Sequence, residues 1–188
     1  MKYSKLTMLN FMALCCVLGL FTKKLINPFA NVITEALHIP GGVSTGFSIM
    51  FLVIAAEVVR GKGCGTLMGT VQGFLALALG RVGSMGILMP LGYISTGIAI
   101  DFIYDVQKYM KCSKTERMVF ANALAALMAS VTANLLVFHL NGSVLWLYLG
   151  VSATSGTCYG FLGSVIVTRL YPLFKNNQLS GGRYHEVT

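Results

Sequence analysis

Charge is what this chain has least of. Only 11% of its 188 residues are Asp, Glu, Lys or Arg, and just six of these are acids. Ordinary soluble domains carry about 25% charged residues. A water-soluble chain of this length would have too little polar surface to cover itself, so that class is excluded. Catalytic motifs are missing too: no H-E-x-x-H, G-x-S-x-G or Walker sequence occurs, and the chain has no means of hydrolysing ATP. The five cysteines, Cys15, Cys16, Cys64, Cys112 and Cys158, are odd in number and lack metal-ligand spacing. They are expected as free, mostly buried thiols. No cofactor is expected, and the ten methionines are expected as core filling.

What is present is apolar length. The chain is 55% hydrophobic, with a mean hydropathy of +0.73. Six charge-poor runs stand out: Leu6–Phe21, Val43–Val59, Cys64–Leu79, Ile87–Val106, Met118–His139 and Val144–Leu170. A spanning helix needs roughly 20 mostly apolar residues. Breakers or charges separate the runs, as in "RGKG", "GRVGSMG", "KYMKCSKTER" and "HLNG". The first run follows Lys2 and Lys5, as in a signal peptide. Lys23 and Lys24 follow it without a small-residue cleavage site, so it reads as an uncleaved helix. The expectation is an all-α, six-helix transmembrane bundle over residues 1–175, with a loosely ordered polar tail over 176–188.

Lysine and arginine set the orientation. With the N-terminus in the cytoplasm, the outer side holds Lys23, Lys24 and Arg81, and the inner side holds the rest of the fourteen. Both termini are therefore expected in the cytoplasm. The net charge of +8 is an orientation signal, and no basic face for nucleic acid emerges.

Glycine supplies the second pattern. In "CGTLMGTVQG", Gly65, Gly69 and Gly73 recur every four residues, and Ala76 and Gly80 extend the face. Ala121, Ala125, Ala129 and Ala133 repeat the device on the fifth helix, and Gly156, Gly160 and Ser164 on the sixth. Glycine weakens a helix in water by roughly 1 kcal/mol. In lipid, helices associate through close backbone packing, which small residues permit. These ridges are read mainly as packing surfaces, some of which leave room for a ligand or for sliding against a partner.

The polar residues that remain define a candidate site. A long first outer loop is expected from about Thr22 to Gly42, carrying Asn31, Glu35 and His38, long enough to act as a lid. Arg81 follows the third helix, either snorkelling or holding an anionic group. His139 lies between the fifth and sixth helices. Trp146 reads more readily as an interfacial anchor than as a stacking platform. Gln72 and Asn134 lie within spans, where a polar group faces protein or a cavity. Each has two roles open to it, ligand contact or a helix-to-helix hydrogen bond. Glu57 is expected to pair with Arg60 or Lys62, and Asp101 and Asp105 with Lys108 and the basic loop after it. The topology keeps His38 and His139 away from Glu57, Asp101 and Asp105, which argues against catalysis.

The run "NPFANVITEALHIPGGVSTGFSIMFLVIAAEVVRGKGCGTLMGTVQGFLALALG", continuing through "GYISTGIAIDFIYD", resembles S components of energy-coupling factor (ECF) transporters. Its marks are Asn27-Pro28, Gly41-Gly42, Arg60, Gly63 and Gly80, and the nearest subgroup is the YkoE-like, thiamin-precursor-related one. The resemblance implies a non-enzymatic subunit that captures a vitamin-like solute at its outer side. It also implies a membrane coupling (T) subunit and two cytoplasmic ATPase subunits as partners. Many members dock through Ala-x-x-x-Ala on the first helix; here the nearest small residues are Ala13, Cys15, Cys16 and Gly19. Acidic places on the subgroup's third helix correspond to Gly69 and Ala76, leaving a cationic thiazolium without a counter-charge. A neutral pyrimidine, another vitamin, or a flat corrinoid or porphyrin fits an uncharged wall at least as well. The alternative reading is an intramembrane enzyme or assembly protein with no transported ligand.

Overall fold

The computed structural model describes residues 5–36, 43–59, 61–80, 83–107 and 112–181. They form six helices: α1 Lys5–Ala36, α2 Val43–Val59, α3 Cys64–Ala78, α4 Met89–Val106, α5 Lys114–Ala133 and α6 Ser143–Gly181. A 3-10 segment, Gly83–Leu88, precedes α4, and a π-helical turn, Asn134–Phe138, ends α5. Met8–Phe29, Met85–Val106 and Lys114–Phe138 are long and apolar enough to cross a membrane; Ser44–Val59 and Cys64–Ala78 are shorter apolar helices. The chain is a helical membrane bundle.

Helix α2 lies at the centre because it has no polar stripe to present elsewhere. Leu52 to Glu57 are buried in unbroken succession, the mark of a helix enclosed on all sides. It packs against α1, α6 and α5, while α3, α4, α5 and α6 meet in chain order. The outer faces stay apolar: Phe21, Leu25 and Phe29 of α1, Phe74 of α3 and Phe161 of α6 are exposed. In water such a surface would be a fault; in lipid it faces its own solvent.

The small-residue ridges meet neighbouring backbones. A methyl group at Gly65 would come 2.7 Å from the Gly97 carbonyl oxygen, and one at Gly73 would come 2.9 Å from the Pro90 Cα. At Gly69 it would collide with the Tyr93 carbonyl. The α3–α4 seam is therefore a backbone-to-backbone contact that any side chain would wedge open. Gly156 and Gly160 do the same against Ala123 and Val119 of α5, and Ala121 and Ala125 are fully buried. Met50, Met68 and Met118 fill the core. The Cys64 thiol lies 4.0 Å from the sulfurs of both Met12 and Met68. All five cysteines are free; Cys15, Cys16 and Cys64 are buried, Cys112 is half-buried and Cys158 is exposed.

One end of the bundle joins α2 to α3 and α4 to α5. We call it the basic end, after the lysines and arginines in those connections. Here two acids find partners that the sequence did not suggest, while Arg60 and Lys108, named in the expected pairings, lie outside the described residues. Glu57 pairs with Arg117 of α5, which donates from Nε and Nη2 at 3.0 Å each. A two-pronged guanidinium fits a carboxylate better than a flexible lysine does, and the Arg117 guanidinium also lies 5.8 Å from the Tyr104 ring centre. Asp101 caps α3: its carboxylate accepts from the amides of Gly65 and Thr66 at 2.8 Å and from the Thr66 hydroxyl at 2.6 Å. The free amides of a helix's first turn attract an anion, and Gly65 lets α4 come near enough to supply one. Ser113 and Glu116 form a capping box that starts α5.

Candidate functional site

The half of the bundle away from the basic end holds the candidate site. It gathers the later part of α1, the end of α3, the start of α4, the end of α5 and the start of α6. Two hydroxyl pairs and a ring contact knit the last three helices. Ser130 and Ser152 lie 2.5 Å apart, Tyr148 is buried, and the Thr132 hydroxyl donates to Ser95 at 2.9 Å. Tyr148 also meets Phe138 edge-on, with ring centres 6.0 Å apart. Hydroxyls facing an apolar interior need partners, and these supply one another.

Across the bundle, α1, α3 and α4 form a seam with groups left over. Gln72 is 0% exposed. Its amide nitrogen donates to the Cys16 carbonyl at 3.3 Å, and Ser48 donates to the Gly19 carbonyl at 3.1 Å. The Gln72 Oε1 atom is buried without a partner, and so is the Tyr93 hydroxyl. Tyr93 packs with Leu20, Ala76, Met85 and Met89, and the Lys23 ammonium sits 5.5 Å from its ring centre. Buried polar atoms are nearly always paired; the Gln107 and Asn122 side-chain oxygens are also buried without a partner elsewhere in the bundle, and the seam is set apart by having two such atoms beside a lysine.

The residues singled out in the sequence fall as follows. Gln72 makes a helix-to-helix hydrogen bond and keeps a free carbonyl oxygen. Asn134 closes the turn into α6: its Oδ1 accepts from the Leu140 amide at 2.7 Å and its Nδ2 donates to the Leu140 carbonyl at 3.4 Å. His139 follows with φ 49°, a left-handed conformation that suits glycine better. Its amide reaches the Asn134 carbonyl at 2.8 Å, the bond that widens the turn into a π-helix. The His139 side chain is exposed, and Trp146 is 75% exposed, as an interfacial anchor would be. Arg81 and His38 lie outside the described residues.

Asn31 and Glu35 are exposed, but on helix rather than loop, because α1 continues to Ala36. The expected outer loop is therefore helical as far as Ala36, and residues 37–42 lie outside the described residues. No glycine interrupts the chain between Gly19 and Gly41, and the Thr22 hydroxyl bonds back to the Leu18 carbonyl at 2.5 Å. Pro28 alone removes one helical bond, and the flanking turns carry the helix past it. Of the expected docking residues, Ala13 is exposed, while Cys16 and Gly19 turn inward. The Cys16 thiol faces the Met68 carbonyl at 3.9 Å, and a methyl group at Gly19 would come 2.5 Å from the Gln72 amide nitrogen.

Lys23 and Tyr93 were missed as site residues. The sequence shows two adjacent lysines at the end of an apolar run, the usual snorkelling pattern. Only the packing of α1 separates them: Lys24 is exposed and Lys23 is half-buried against α4.

No family model matches the sequence, and no curated protein matches it. The fold does find a counterpart. It is similar to the crystal structure of an S-component of an ECF transporter, with a TM-score of 0.70 and 17% identity over 100% of this chain and 99% of that one. The chain therefore has the S-component fold from end to end.

Proposed function

We propose that this protein is the substrate-capture subunit of an energy-coupled uptake transporter. It would bind a vitamin or vitamin precursor in the half of the bundle away from the basic end. One observation carries this reading: the full-length likeness to an ECF transporter S-component, at a TM-score of 0.70. Two features support it. The lysine and arginine bias puts the basic end and both termini in the cytoplasm, so the proposed site opens outward. The seam between α1, α3 and α4 also holds buried polar atoms with no partner.

In this reading Gln72 meets the ligand through its free Oε1. Asn134 and His139 shape the mouth between α5 and α6, with Asn31, Glu35, His38 and Arg81 around the rim and Trp146 at the membrane surface. A coupling subunit in the membrane and two cytoplasmic ATPases supply the energy. The exposed side of α1 around Ala13 offers the docking face. The subgroup assignment is YkoE-like. The substrate is a hydroxymethylpyrimidine-like compound, another vitamin, or a flat corrinoid or porphyrin.

Native mass spectrometry of gently solubilised protein tests the reading. A vitamin-sized ligand or a coupling subunit is expected to copurify. Gln72→Ala is expected to weaken ligand binding by about tenfold, the effect of one lost buried hydrogen bond. Protein that stays empty, ignores a vitamin panel and never binds a coupling subunit overturns the reading.

A further inference from the structure

The same site carries information about the charge of its substrate. Lys23 is half-buried and its ammonium is turned onto the Tyr93 ring at 5.5 Å, rather than outward like Lys24. The described carboxylates lie elsewhere. Glu57 is held by Arg117 and Asp101 by the start of α3, while Asp105 and Glu116 also belong to the basic end. Glu35 is exposed on α1 itself, about 18 Å further along the helix axis. The half-buried cation thus has an aromatic face beside it and, among the described residues, no carboxylate. A ring face offers only about 0.5–2 kcal/mol, and a charge-assisted hydrogen bond to an anion is a stronger partner for the ammonium. Beside it stands the Tyr93 hydroxyl, in a residue 8% exposed, with no hydrogen-bond partner. A positive charge and an unused donor flank one ring. An anion satisfies both, and in a low-dielectric surrounding each contact is stronger than in water.

We propose that the captured substrate is an anion, whose carboxylate or phosphate sits between the Lys23 ammonium and the Tyr93 hydroxyl. This rests on the substrate-capture reading and narrows it. A cationic thiazolium would meet Lys23 unfavourably, and a neutral ring would leave the ammonium unpaired. An anionic lipid headgroup offers the same chemistry as a soluble anion, so the experiment separates the two.

The full chain in phosphatidylcholine nanodiscs is dialysed against matched probes: biotin and its amide, pantothenate and pantothenol, FMN and riboflavin, with thiamin as the cation and hydroxymethylpyrimidine as the neutral ring. At least one anionic probe is expected to bind about tenfold or more tightly than its neutral counterpart, the effect of one desolvated charged hydrogen bond. Lys23→Gln is expected to erase that preference, Lys23→Arg to keep it, and Tyr93→Phe to reduce it in a protein that remains folded. Neutral or cationic probes binding as well as anions, or a preference that survives Lys23→Gln, overturns the inference alone. Binding of no probe at all overturns the inference, and the capture reading falls with it only if neither a vitamin-sized ligand nor a coupling subunit copurifies. A parallel set of nanodiscs contains phosphatidylglycerol. If Lys23→Gln changes only the retention of that lipid in native mass spectra, the cation serves a headgroup and the soluble-substrate inference falls.

Discussion

The two ends of this bundle treat charge in opposite ways. At the basic end, the Glu57 carboxylate, only 1% exposed, is gripped by both prongs of Arg117, and Asp101 is saturated by the first turn of α3. In the other half, a lysine faces a ring, and the hydroxyl of that ring and the carbonyl of Gln72 face nothing. The first arrangement locks α2 to α5 and α3 to α4. The second leaves bonding capacity unspent beside a lysine, whereas at the basic end the unpartnered Gln107 Oε1 accompanies acids that are fully engaged. On the proposed reading the two arrangements divide the work: one fixes the helices, and the other offers polar groups to a solute.

Breaking the floor is expected to do the most damage. Glu57→Ala leaves the partly buried Arg117 without this partner; removal of one member of a fully buried pair costs about 3–5 kcal/mol, and the lower end is expected because Arg117 keeps 21% exposure. The thermal unfolding midpoint in detergent should fall sharply, and the double variant Glu57→Leu/Arg117→Met should recover much of the loss. A midpoint unchanged by Glu57→Ala would show that the pair holds nothing together. Gly69→Ala comes next. Its methyl group collides with the Tyr93 carbonyl, and overpacking of this kind costs about 1–3 kcal/mol. Because the obstacle is backbone, the upper end is expected, again read from the unfolding midpoint. Asp101→Ala should cost about 1–2 kcal/mol by uncapping α3, visible as faster amide exchange at Gly65 and Thr66.

Tyr93→Phe sharpens the comparison from the other side. The hydroxyl it removes has no partner, and deleting an unsatisfied buried group is neutral or stabilising. The empty protein should therefore melt at the same temperature or higher, while its ligand affinity falls. A clear drop in stability would mean that the hydroxyl is already bonded in the empty protein. Trp146→Phe should change neither quantity measurably, since the indole is exposed and phenylalanine keeps an aromatic group at the membrane surface.

The bundle was legible in the sequence because lipid imposes a simple rule: apolar runs of spanning length become helices. The ridges were legible for a related reason. Gly65, Gly69 and Gly73 recur at helical spacing, and without hydrophobic attraction between helices only close contact holds them. Other features were hidden. The extension of α1 to Ala36 was obscured by Asn27-Pro28, which reads as a break although the turns around it sustain the helix. Arg117 as a partner of Glu57 was hidden by distance along the chain. Arg60 and Lys62 were the near candidates, and Arg117 lies sixty residues away. Gln72 was recognised as unusual, but its division of labour, one atom bonded and one idle, depends on where the Cys16 carbonyl lies.

The sequence alone determined the solvent of this protein, its six helices and the spacing of its smooth faces, because these follow from local composition and periodicity. Tertiary structure alone decided which of two adjacent lysines turns inward, that Arg117 reaches Glu57, and which polar atoms remain unpaired. Those outcomes depend on the rotation of each helix about its axis, and that rotation is set by the neighbours packed against it.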